Sequence, residues 1–306
     1  MGKKYIALVS LLAILSFIGY IVYDTISSGK AEKAAEPENR EVVIPDNWFV
    51  FNSLTVSEGK LHSIAVSENG DVFVGGEAFV SCYNADLTRK WTMKTPANIG
   101  AVSVYGDTLY AASTEIIYLI SMEGRLIGEW GPYEAKSIIT SVSAHRQLVA
   151  FADAGNKRIF ILKKGGEVIA MIGQSDNSII IPSPYFDVVL DGSNNLYLAN
   201  TGHRRIEKWT TSGVFVSQFG EPGTAPGAFC GCCNPAHFAV IPQGFVTAEK
   251  GINRIKILDH DGIFVEFVSS KNSFTPSFPL DVASVDGITI YAANPADSKL
   301  YLFKRR

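Results

Sequence analysis

A six-fold internal repeat constrains this chain more than any other feature of its sequence. Six segments align: GDVFVGGEAFVSCYN, DTLYAASTEIIYLIS, QLVAFADAGNKRIFILK, NNLYLANTGHRRIEKWT, GFVTAEKGINRIKILD and ITIYAANPADSKLYLFK. Phe73, Tyr110, Ala150, Tyr197, Val246 and Tyr291 are equivalent, at spacings of 37, 40, 47, 49 and 45 residues. Short apolar alternations separated by Gly, Asn, Asp and Pro are the signal of half-buried strands, and from Trp48 onward no helical period competes with it. Periods of this length mark architectures in which one supersecondary unit is stacked repeatedly.

Each unit reads as four strands. A short apolar strand such as Phe186–Leu190 turns at Asp191-Gly192 into the aligned second strand. A third strand carries the Arg-Ile pairs Arg158-Ile159, Arg205-Ile206 and Arg254-Ile255. A tight turn at Glu123-Gly124, Ser212-Gly213 or Asp261-Gly262 then leads to a fourth, as in Val214 to Gly220. A lone unit of this kind leaves its faces uncovered, whereas six set radially cover one another. The last unit ends after its third strand at Arg306, and Trp48-Phe49-Val50-Phe51, ahead of the first unit, is expected to supply the missing fourth. The fold class expected is all-β, a six-bladed β-propeller with four-stranded blades.

The run YLANTGHRRIEKW (Tyr197–Trp209), followed by Val214 to Gly220, resembles the NHL repeat. Residues 48–306 as a whole look like an NHL-type propeller, with the third, fourth and fifth units matching best. The FCGCCNPAHF block resembles a form of the repeat found in membrane-anchored or exported bacterial proteins. The resemblance implies a fold. Propellers of this type serve as binding platforms, lyases and lactonases alike, so it implies no single activity.

The segment before the repeat is of another kind. Lys3 and Lys4 precede an apolar run from Tyr5 to Tyr23, 19 residues long, which as a helix spans roughly 28 Å, near the hydrocarbon thickness of a bilayer. A cleavable signal peptide is the rival reading. The apolar core is long for one, and no small-x-small site follows at once. The expectation is an N-terminal signal anchor over residues 1–26, with Lys3 and Lys4 inside and the bulk of the chain outside. Residues 27–46 are small and charged and read as a flexible tether. Residues 47–306 form the propeller, extracytoplasmic and, in a bacterium, periplasmic. The formal charge of −3 over 306 residues and the absence of a basic stripe with interleaved aromatics argue against a nucleic-acid partner.

Chemistry concentrates in Cys230-Gly-Cys232-Cys233-Asn234-Pro-Ala-His237, which holds three of the chain's four cysteines. It falls in the connection between the fourth and fifth blades, and two loops should border it, one with Asn200 and His203, the other with Glu249 and Lys250. Loops on a rigid scaffold are where function concentrates. Three readings stand. Cys230, Cys232 and Cys233 with His237 or His203 supply soft ligands for zinc, copper(I) or an iron–sulfur cluster, although the spacing matches no common zinc pattern. Cys230-Gly-Cys-Cys233 is formally a C-x-x-C redox spacing, without thioredoxin-like surroundings. A disulfide pinning the loop, Cys230–Cys233 or Cys232–Cys233, is the plain alternative, and it leaves one thiol over.

A second set is made of oxygen atoms. Asp153, Asn200, Glu249 and Asn294 share one repeat position at the end of the second strand, and Asp187 and Asp281 begin first strands on the same face. Together with Asn234 and Lys250 they are expected at the channel rim, where oxygen ligands suit calcium. The competing reading is that Asp or Asn at this position bonds its own loop backbone. Cys82 reads as a buried small hydrophobe, and Trp91, Trp130 and Trp209 as packing between blades. No G-x-S-x-G motif is present. The functional expectation is a membrane-anchored binding or scaffold protein with a protein partner on the loop face, linked to a metal or redox system through the cysteine loop. The alternatives are a calcium-type hydrolase or lyase using the channel, and a ligand sensor with a structural disulfide.

Overall fold

Each aligned segment forms the second and third strands of a four-stranded antiparallel sheet, and six such sheets make up the fold. The computed structural model describes residues 5, 11–23, 47–173, 178–270, 273–275 and 278–306. After β1 (Trp48–Thr55), the first blade is β2 (Leu61–Val66), β3 (Val72–Gly76), β4 (Phe79–Tyr83) and β5 (Arg89–Lys94). The second is β6 (Ala101–Tyr105), β7 (Thr108–Ala112), β8 (Ile117–Ser121) and β9 (Leu126–Trp130). The third is β10 (Ile139–His145), β11 (Leu148–Asp153), β12 (Arg158–Lys163) and β13 (Val168–Ile172). The fourth is β14 (Val188–Leu190), β15 (Asn195–Asn200), β16 (Arg205–Thr210) and β17 (Phe215–Phe219). The fifth is β18 (His237–Ile241), β19 (Gly244–Ala248), β20 (Ile255–Leu258) and β21 (Phe264–Ser269). The sixth contains β22 (Asp281–Ala283), β23 (Thr289–Asn294) and β24 (Lys299–Arg305).

The sixth blade is completed from the front of the domain. β1 pairs with β24 from Trp48 opposite Arg305 to Thr55 opposite Lys299, so the sheet runs β1-β24-β23-β22. This is the closure expected from the truncated last repeat, and it removes the edge that an open ring would leave. Trp48 anchors it, with only 1% of its surface exposed, inside the cluster built by the fifth and sixth blades.

The core is divided among the blade contacts. Six buried clusters appear among the described residues, and each draws on two neighbouring blades. Middle strands are buried on both faces, as in Val72–Gly76, Thr108–Ala112 and Gly244–Ala248, and so read as apolar runs, whereas fourth strands alternate or are exposed. Aromatic residues also lock one blade to the next. Trp91 lies against Gly124 in the turn of the second blade, where a Cβ would come within 2.7 Å of its ring, and its indole donates to Met122 O at 2.8 Å. Phe219 meets Gly262 of the fifth blade in the same way. Both glycines adopt positive φ, so turn geometry and close approach demand the same residue. Trp91 and Trp130 lie on fourth strands and Trp209 on a third, with its indole donating to Glu207 at 3.0 Å.

The chain divides into a unit Met1–Ile44 and a unit Pro45–Arg306. In the first, residues 11–23 and Tyr5 are helical and exposed. No described helix is long and apolar enough to cross a membrane. Lys3, Lys4, part of the apolar run from Tyr5 to Tyr23, and the tether lie outside the described residues.

Candidate functional site

The first strand of each blade lines the central channel, and pairing with the second strands puts one residue of every blade at the same level. Ser63 faces Gly75, Ala101 faces Ala112, Ser141 faces Ala152, His237 faces Ala248 and Asp281 faces Ala293. Asp187, just ahead of Val188, completes the level, its carbonyl accepting from Ala199 N. Three of these six side chains are ionisable, and they come from consecutive blades. His237 Nδ1 lies 3.6 Å from Asp281 Oδ1 and 3.9 Å from Asp187 Oδ2.

Both carboxylates also join blades. Asp187 accepts from Phe238 N of the fifth blade at 2.9 Å and from the Ser141 hydroxyl of the third. Asp281 accepts from Ile64 N of the first blade at 2.8 Å. Hydrogen bonds to ionised groups contribute about 1.5–3 kcal/mol each, so the pair fastens the third to sixth blades and the first around His237. Burial in the channel pushes both carboxyls up. Asp281 reaches about 6 through that burial and the charge of Asp187, against the opposing pull of His237. The channel has a volume of about 180 Å³.

Above this level the channel widens into a mouth of about 580 Å³. Tyr185 and Phe278 with Pro184, Pro279 and Pro295 form its apolar wall; Lys60 and Glu77 of the first blade bring charge beside His62, and His237 reaches into it from below. Tyr185 stands edge-on to His237, with ring centroids 6.2 Å apart, and the Lys250 ammonium sits 4.7 Å from the Tyr185 ring centre. Burial lowers the pKa of His62, which keeps it neutral over more of the pH range.

The four aligned oxygen residues are placed differently from the rim position expected of them. Asp153, Asn200 and Glu249 are fully buried and Asn294 is 2% exposed. Each serves the loop beside it. Asp153 accepts from Ile138 N and Ser137 Oγ, both at 2.8 Å. Asn200 accepts from Ile180 N at 3.1 Å and donates to Ser178 O at 2.8 Å. Glu249 accepts from Cys230 N at 3.2 Å, and Asn294 from Ala296 N at 3.0 Å. The first three clamp the chain segment that enters their own blade, so their oxygens are spent inside the wall. The backbone-capping reading describes these residues; a ring of oxygen ligands does not.

Glu249 does more, because it is the carboxylate of a buried ion cluster. Arg254 Nε donates to it at 2.6 Å and Lys256 Nζ lies 3.0 Å away. Lys256, wholly buried, donates to Ala228 O at 2.6 Å, sits 4.3 Å from the Phe229 ring centre, and is pushed down to about 8 by burial. These contacts hold residues 224–230 and so fix the base of the cysteine loop. Asn234, 1% exposed, fixes its far side. It accepts from Lys250 N at 2.7 Å, and donates to Lys250 O at 2.8 Å and to Cys230 O.

Within that frame the thiols separate. Cys232 and Cys233 lie side by side, sulfurs 3.1 Å apart, the first exposed and the second 3% exposed. Ser183 Oγ donates to Cys233 Sγ at 2.9 Å, and burial raises the Cys233 pKa. Cys230, half-buried, is tied through its backbone. His237 turns its ring to the channel carboxylates, and His203 is exposed, its amide closing the turn onto Asn200 O. Among the described residues no group of three or more His, Cys, Asp or Glu side chains is arranged to hold a metal. The expected set of three thiols and an imidazole is thus not brought together, because His237 belongs to β18 and not to the loop. Cys82 is fully buried, its thiol pushed up to about 12.

Asp187 and Asp281 are legible in the repeat as residues of one face, whereas their partner His237 is hidden in the sequence by the cysteine run before it. Aligning the first strands on their pairing partners (Asp187-Val188, His237-Phe238, Asp281-Val282) exposes the level at once, with Ser63, Ala101 and Ser141 as its other members.

Comparison with solved structures supports the same architecture. The chain is similar to a streptogramin B lyase, at a TM-score of 0.61 and 13% identity over 85% of this chain and 98% of that one. It is also similar to a protein of unknown function from Bacteroides thetaiotaomicron, at 0.59 and 16% over 83% and 72%. A third is the β-propeller domain of Swd1 from Myceliophteria thermophila, at 0.58 and 10% over 85% and 100%. The fold is a six-bladed β-propeller. At these identities the likeness is one of fold alone. No family model and no curated protein matches the chain.

Proposed function

We propose that this protein is a binding platform of NHL type that takes a ligand or a segment of a partner protein into the mouth of its channel. The observation that carries the reading is the cavity of about 580 Å³ walled by Tyr185, Phe278 and three prolines, with charged groups confined to one side. Apolar and aromatic walls with a few placed polar groups are what binding sites of this size are made of. The NHL assignment rests on the Tyr197–Trp209 motif and its repeats. The membrane anchor rests on Lys3, Lys4 and the apolar run to Tyr23, which put the propeller outside the cytoplasm. As an accessory to a metal or redox system, its working part is the loop from Cys230 to Cys233, beside the same mouth.

The test compares the full chain with a Tyr185→Ala, Phe278→Ala variant after chemical crosslinking in the cells that make it. A defined species recovered with the native protein and lost with the folded variant supports the reading. Equal recovery with both removes the mouth from recognition.

A second reading, a hydrolase or lyase using the channel, is favoured by one observation: His237 between two carboxylates directly beneath the mouth. Turnover of lactones or esters by the full chain, abolished by His237→Ala, would establish it in place of the binding reading.

A further inference from the structure

We propose that Cys232 and Cys233 form a redox-active vicinal dithiol, which an external disulfide oxidises to an eight-membered cyclic disulfide. The inference rests on the loop geometry and is independent of what the mouth binds.

Four observations carry it. The two sulfurs are already 3.1 Å apart, about 1 Å beyond a disulfide bond. Their exposures differ, Cys232 being open to solvent and Cys233 almost closed, so an incoming disulfide meets one thiol and leaves the other to complete the exchange. The loop is rigid at both ends: Glu249 holds Cys230 N and Asn234 is fastened to both Cys230 O and Lys250. Finally, the thiols are not arranged with a third ligand as a metal site, among the described residues.

The exchange balances without a cofactor. The Cys232 thiolate attacks one sulfur of a disulfide RSSR′; an S–S bond forms to R, and R′ leaves as a thiolate that takes up a proton. The Cys233 sulfur, having lost its proton to solvent, then attacks Cys232 Sγ, and R leaves as the second thiol. Burial raises the Cys233 pKa and so holds this sulfur back as a thiol; the Ser183 hydroxyl, 2.9 Å from Cys233 Sγ, and the Lys250 ammonium offset part of that rise by favouring the thiolate. Net, one dithiol and one disulfide become one cyclic disulfide and two thiols. Adjacent Cα atoms lie about 3.8 Å apart, closer than the roughly 4.4–6.8 Å of ordinary disulfides, so the ring is strained and readily reduced. That suits a reversible site better than a structural cross-link.

The test uses the full chain in detergent, reduced and then exposed to glutathione disulfide, with free thiols trapped under acid and mapped by mass spectrometry. The expected product is a Cys232–Cys233 bond, with the trapped thiols falling from four to Cys82 and Cys230, and full reversal by reduced glutathione without denaturant. Cys230→Ser should leave this unchanged. Cys233→Ser should trap glutathione on Cys232, and Cys232→Ser should give neither bond nor adduct. A bond to Cys230, four unreacted thiols, or a Cys233→Ser protein that retains its fold and takes up no glutathione would overturn the proposal.

Discussion

Glu249 shows how one buried carboxylate organises a functional loop. Arg254 and Lys256 share it inside the wall, and its second oxygen reaches Cys230 N. Removing one partner from a buried ion cluster costs about 3–5 kcal/mol, because the remaining charges stay buried. Glu249→Ala is therefore expected to destabilise the protein by about that amount, and Asn294→Ala, which loses one capping bond, by about 1 kcal/mol; urea unfolding of both variants checks the contrast. In the channel, burial holds Asp281 at about 6 against 3.8 for a free carboxyl. The native state thus binds more protons than the unfolded chain between about pH 4 and 6, and stability falls as pH rises through that window. Asp281→Asn keeps an acceptor for Ile64 N and cannot ionise. Relative to the native protein it should gain about 1–3 kcal/mol between pH 4 and pH 7. Melting temperatures across that range test this; parallel curves would contradict it. At this scale the sequence was only half legible. It flagged Asp187, Asp281 and the cysteines, but the alternation that turns His237 into the channel and Glu249 into the wall depends on strand register, which no residue type announces.

At the scale of the element, the closure strand decides whether the ring holds. β1 contributes Trp48 to a cluster with Ile255, Val268 and Phe303, so the first residue of the closing strand fastens the last blade to the one before it. Trp48→Ala should cost about 3–5 kcal/mol and lower the urea midpoint. A surface position of the same strand, Phe51→Ala, should change stability by well under 1 kcal/mol. This element was readable in advance, since the final repeat lacks a fourth strand and one apolar run stands unassigned before the first. The Gly turns were readable from the repeat as well: Gly124 and Gly262 each stand seven residues after an isoleucine of the third strand, Ile117 and Ile255. The long connections were not, because residues 220–236 follow no period and take their shape from Arg254, Lys256 and Asn234.

Across the whole molecule, the candidate features of the propeller share one face. The apolar wall of the mouth, Tyr185 with Lys250 over its ring, and the Cys232–Cys233 pair all lie on loops of the fourth, fifth and sixth blades. If the N-terminal segment anchors the chain with the propeller outside, protease added to intact spheroplasts should cut in residues 27–46 and release a propeller-sized fragment. Full protection until the membrane is lysed would reverse the orientation. The repeat made this architecture plain from the sequence, whereas the ligand did not appear in it, because a mouth is assembled from loops contributed by four blades.

The most direct test of the binding reading is site-specific photo-crosslinking of the full chain in its own cells. A benzophenone amino acid at Phe278, in the mouth wall, is compared with one at Phe215, on an exposed fourth strand. The account predicts an adduct of discrete mass, protein or small molecule, from the mouth position and none from the outer strand. The same diffuse background from both positions would contradict it.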